Sequence, residues 1–179
     1  MKNHPRPLPT ILASLALALA ACGGAGAKTP SEPGSSSGPV DSSPSAEPMS
    51  KEQTDTLAAV EAFLSDPQNA DPEPITRYMN DSPDVMVVIE QELTGDDKAT
   101  MTEEESALLL VGFIAGNIKA QILRGRKEND PVGGVRGMLA VYAALQASSP
   151  SLSSPKLDDF AKHEAAGTLE EHVEKISSR

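Results

Sequence analysis

A single cysteine, no tryptophan and only five other aromatic residues leave this 179-residue chain without several common ways of being stable or of binding. One thiol cannot close an internal disulfide, so stability has to come from a buried apolar core. Phe63, Tyr78, Phe113, Tyr142 and Phe160 each sit among apolar neighbours, which marks them for that core and not for stacking platforms under sugars or bases. Positive charge is scarce as well, with 15 Lys and Arg against 26 Asp and Glu. Lys2 and Arg6 are the only charged side chains in the first 21 positions. That leaves 13 basic against 26 acidic residues, a net −13, from Cys22 onward. Such a field repels phosphate backbones and argues against nucleic-acid partners.

What the N-terminus does contain is ordered like an export signal. Lys2 and Arg6 precede the apolar run Ile11–Ala21, and small residues follow it. At 11 residues the run is too short for a bilayer core, which takes about 20 helical residues. The run ends in Leu19-Ala20-Ala21-Cys22, which resembles the lipobox of bacterial lipoproteins: a Leu, two small residues and a Cys. The resemblance covers residues 1–22 only. It implies a signal peptide over 1–21, a diacylglycerol on the Cys22 thiol, cleavage before that residue, and fatty acylation such as palmitate on the new amino terminus. Two or three chains, at about 0.8 kcal/mol per buried methylene, hold a protein on a membrane where one would not. In that family the residue after the Cys influences sorting. Gly23 is not the Asp of inner-membrane retention, which favours the outer membrane, on its periplasmic or surface face.

From residue 22 to 49 the expected product is a disordered tether. Gly, Pro and Ser occupy 17 of the 27 positions from Gly23 to Met49, too little apolar area to offset the entropy of ordering. A coil of that length spans roughly 30 Å. Gly34-Ser35-Ser36-Ser37-Gly38 matches the pattern of a hydrolase nucleophile elbow, but lacks the strand and helix that make such a turn work.

Residues 50–179 read as an all-α domain, a compact bundle of six or seven helices. Ser50 with Gln53 forms a capping box ahead of Leu57, Val60 and Leu64 on one face. Asp71-Pro72 opens a second helix carrying Ile75 and Tyr78 inward. Ser82-Pro83-Asp84 reads as a third start, so Val85–Ile89 is expected to be helical: the run is β-branched, but no second strand-like run exists to pair with it. Thr102 with Glu105 caps the longest element, apolar nearly all round from Ala107 to Leu123, with a polar stripe of Asn117, Gln121 and later Arg124. Such a helix belongs mid-bundle, and Asn117, Lys119 and Gln121 interrupt it too early for a membrane span. Asp130-Pro131 opens the next helix, to about Ala147. Ser154-Pro155 opens another, with Leu157, Phe160 and Ala161 inward. Thr168 with Glu171 opens the last, with Leu169, Val173 and Ile176 inward.

Small residues add a tertiary expectation. Gly112, Gly116 and Ala120 share one face, and Gly133, Gly137, Ala140 and Ala144 share another. A hairpin folding near Glu128 would set Gly116 against Ala140 and Ala120 against Gly137, at close approach.

Three groups of side chains bear on chemistry. His163, Glu164 and His172 offer two imidazoles and a carboxylate, but their spacing across a break at Gly167 fits no common zinc signature, and they read as exposed polar residues. Arg124, Arg126, Lys127 and Arg136 surround a helix start, where an anion would be welcome, yet Asp130 already takes the capping position. Asp96, Asp97 and Glu103–Glu105 lack the alternation of a calcium loop. No nucleophile stands with a base and an orienting group, so no catalytic, metal or cofactor residue is expected, and Cys22 is the one modified side chain. The expectation is a lipid-anchored, non-enzymatic envelope protein with an envelope protein partner. The alternative is a small-ligand module with a pocket between helices.

Overall fold

The computed structural model of the chain describes residues 48–95 and 100–178. Cys22, its lipobox, the tether up to Glu47, the Gly34–Gly38 motif, Asp96 and Asp97 lie outside the described residues. Seven helices occur among the described residues: α1 (Lys51–Ser65), α2 (Glu73–Asp81), α3 (Gln91–Thr94), α4 (Glu103–Arg124), α5 (Pro131–Ser148), α6 (Pro155–Ala165) and α7 (Leu169–Ser177). The only β-type pairing among them is one isolated bridge, Thr100 with Ser153. The domain is all-α.

The helix starts follow their capping chemistry. Both capping boxes are formed, Ser50 with Gln53 and Thr102 with Glu105. Asp130 caps α5 by accepting from the Gly133 N–H at 2.7 Å, and Ser154 caps α6 through Leu157. The phenol of Tyr142 on α5 receives the Ser154 N–H and donates to Asp158, fastening α6 to its predecessor.

α4 lies at the centre, with ten residues buried from Leu109 to Ile122. It is long and apolar enough to cross a membrane, yet 56% of its most apolar window is buried inside the protein. α1, α2 and α5 pack on it, and α6 and α7 cover α5. All five aromatic residues are buried, as are Leu157, Leu169 and Val173. Ile176 is half-buried against this core, whereas Ala161, expected inward, is exposed. Phe160 and Leu157 already fill the three-to-four residue stripe that α6 turns to the core.

α4 and α5 form the close hairpin, in a different register from the one the small residues suggested. A Cβ on Gly116 would meet the Gly133 carbonyl and the Gly137 Cα (2.8 Å), and one on Gly133 would meet the Ala120 Cβ at 2.6 Å. Gly116 therefore faces Gly137 and not Ala140, and Ala120 faces Gly133. The one-turn offset comes from where the chain reverses. Gly125 ends α4 at φ +60°, with the Gly125 and Arg126 N–H groups closing back on Ile122 and Gln121. That places the fold before Glu128.

The segment after α2 also departs from expectation. Ser82-Pro83-Asp84 makes a turn, and residues 85–90 form no regular secondary structure before the short α3. The missing strand partner is supplied by side chains. The Gln121 carboxamide accepts from the Met86 N–H at 3.0 Å and donates to the Met86 carbonyl at 2.8 Å. The Val88 N–H donates to Asn129 Oδ1 at 2.9 Å. An amide carries one acceptor and a donor pair, so it can satisfy an extended residue as a neighbouring strand would.

Candidate functional site

The polar stripe of α4 is structural. Asn117 is fully buried, its Oδ1 accepting from Gln121 Nε2 (2.6 Å) and the Asp130 N–H (3.1 Å), while its Nδ2 donates to Asn129 Oδ1 (2.8 Å). These bonds join α4, the α4–α5 turn and the segment 85–90, and each side-chain amide in the set has a partner, as burial requires.

The basic group does not converge. Arg124 faces the buried Asp130 carboxylate, Arg136 pairs with Glu164 at 2.9 Å, and Arg126 and Lys127 are exposed on the turn. Of the acidic group, Glu105 is held in its capping box, and Glu103 and Glu104 are exposed in the first turn of α4.

The histidines do converge. α6 ends at Ala165, Gly167 takes φ +71°, and α7 returns alongside α6. That reversal stacks the His163 and His172 rings at 3.8 Å between centroids, 13° from parallel. Asp159, one turn before His163, joins them: its Oδ2 lies 3.2 Å from His172 Nε2 and 4.0 Å from His163 Nε2. One ligand atom from each of the three falls within 4.8 Å of the others. Neither imidazole is simply an exposed polar group. Both are half-buried, and His172 also sets its ring edge-on to the buried Phe160 at 5.7 Å. Glu164 is absent from the cluster, being turned to Arg136. Asp159 was missed in the sequence, though its i, i+4 relation to His163 is the signal that would find it.

Thr168 orders this cluster. It is the N-cap of α7, but its side chain makes no capping bond to that helix, contrary to the expected pairing with Glu171. Its hydroxyl instead lies 2.9 Å from His163 Nδ1 and donates to the His163 carbonyl. The other ring nitrogen of His163, Nε2, faces Asp159.

Two further surface features stand outside the core. A cleft of about 360 Å³ between α1 and α2 is lined by Lys51, Asp55, Arg77 and Tyr78. The Tyr78 hydroxyl is buried with no hydrogen-bond partner among the described residues. Met86, Val88 and Ile89, each nearly half exposed, are apolar residues of the segment between α2 and α3.

No family model, curated protein or solved structure matches the chain.

Proposed function

We propose that the chain is the precursor of a bacterial envelope lipoprotein, anchored through lipid on Cys22, whose helical domain is a non-enzymatic interaction module. The observation that carries this is the four-residue sequence Leu19-Ala20-Ala21-Cys22 at the end of an 11-residue apolar run behind Lys2 and Arg6. The composition of 23–49 supports it, since a Gly/Pro/Ser-rich stretch suits a spacer between a membrane and a domain. So does the use of polar groups in the domain's centre, where Asn117 and Gln121 are spent on holding the backbone. The outer membrane is the favoured location, and another envelope protein the favoured partner.

Expression in a Gram-negative host tests this. The wild-type chain partitions with membranes and incorporates labelled palmitate, while Cys22→Ser does neither. Equal membrane partitioning of the two, or a mature amino terminus other than residue 22, refutes anchorage by this thiol.

A second reading, a small-ligand module, rests on the orphaned Tyr78 hydroxyl beside the α1–α2 cleft. A buried hydroxyl without a partner costs roughly 1–3 kcal/mol, which a bound polar ligand would recover.

A further inference from the structure

The geometry points to a three-ligand site for a divalent transition metal of the zinc class at Asp159, His163 and His172. This inference rests on residues 159–172 alone and stands whatever Cys22 carries. Two imidazoles with one carboxylate suit Zn²⁺, Cu²⁺ or Ni²⁺, whereas Ca²⁺ and Mg²⁺ prefer an all-oxygen shell.

Distances agree with that donor set. Zinc at about 2.0–2.1 Å from tetrahedral ligands holds them about 3.3–3.4 Å apart. The His172–Asp159 pair stands at 3.2 Å and the His163–Asp159 pair at 4.0 Å. The stacked rings present their nitrogens side by side, so a shared ion requires each ring to turn about its Cβ–Cγ bond. Both side chains reach solvent, which leaves room for that turn. A fourth position remains for water or for a group from a partner.

Two features beyond the cluster are those a metal site uses. A metal on His163 Nε2 leaves Nδ1–H to donate to the Thr168 hydroxyl 2.9 Å away, and such outer partners tune affinity by about 10- to 100-fold. The buried Phe160 ring backs His172 in a T-shaped contact, 5.7 Å between centroids. Thr168 is a positioning residue, since its hydroxyl acts through His163.

Zinc competition against a chromophoric chelator, with imidazole NMR signals followed in parallel, tests the assignment on the full chain carrying Cys22→Ser to remove the competing thiol. One equivalent binds, and both His163 and His172 signals shift while His4 stays unmoved. His163→Asn, His172→Asn and Asp159→Asn each weaken binding at least about tenfold. Thr168→Val weakens it about tenfold and Thr168→Ser restores it. Melting without zinc, which the loss of the two exposed hydroxyl contacts to His163 lowers only slightly in Thr168→Val, keeps folding apart from affinity. Zinc bound at His4 alone, no zinc bound, or an affinity untouched by His163→Asn and His172→Asn overturns the assignment.

Discussion

Gly116→Ala separates two opposed physical effects with one methyl group. Gly116 sits in the interior of α4, where helix propensity alone favours alanine by about 0.8–1.0 kcal/mol. Yet the new Cβ would lie against the Gly133 carbonyl and only 2.8 Å from the Gly137 Cα and N. These are backbone atoms of a buried helix and cannot swing aside as a flexible side chain would. Bringing the 2.8 Å contacts to an ordinary 3.4 Å separation parts α4 and α5 by at least about 0.6 Å at their crossing. The displacement reaches Gly112, Gly133 and Gly137, all buried in the same seam. Overpacking of this kind costs about 1–3 kcal/mol, and more when backbone must move. Taking the upper end, because backbone must move, and subtracting the propensity gain leaves a net loss of about 2 kcal/mol. Urea denaturation of the Cys22→Ser chain, followed by circular dichroism, measures it as a lowered midpoint at unchanged slope. A Gly116→Ala variant as stable as its parent, or more stable, would show that propensity governs and that the two backbones are not in contact.

Gln121→Met keeps the volume but leaves the Met86 N–H and carbonyl and one contact of Asn117 without their partner. Stability falls by about 2–3 kcal/mol, and amide exchange at Met86 accelerates more than at Leu109; a change within about 0.5 kcal/mol would deny the side-chain pairing. If the α1–α2 cleft is a ligand site, a thermal-shift screen of small polar metabolites gives a saturable rise in melting temperature that Tyr78→Phe abolishes. No rise, or one indifferent to Tyr78→Phe, removes the cleft from consideration.

The parts of the fold that could be read from the sequence are those whose cause is local. Ser50-x-x-Gln53, Thr102-x-x-Glu105, Asp130-Pro131 and Ser154-Pro155 each satisfy backbone donors within one turn, and each opens a helix where it stands. The errors arise where the cause lies elsewhere along the chain. Val85–Ile89 has the β-branched composition of a strand and forms no helix, but its partners are two side-chain amides that no search for a second strand would find. The α4–α5 pairing was legible as small against small, while its register depended on the place of reversal at Gly125, one turn from the assumed one. Thr168 has the residue type of a cap and the position of one, yet its oxygen is engaged by an imidazole across the turn. The histidine cluster was hidden for the same reason. His163 and His172 become neighbours only through the reversal at Gly167, and the carboxylate beside them is Asp159, not the adjacent Glu164.

The side-chain pairing of the segment between α2 and α3 has a consequence for how the chain comes to be folded. Met86 and Val88 wait for partners 35 and 41 positions downstream. A polypeptide made or threaded amino end first therefore displays Val85-Met86-Val87-Val88-Ile89 to solvent before Gln121 and Asn129 have emerged. Five consecutive apolar residues, three of them valine, are the kind of stretch that pairs with copies of itself and precipitates. The flanking Pro83 and Asp84 on one side, and Glu90 and Glu92 on the other, act as gatekeepers in that interval, opposing stacking by shape and by like charge.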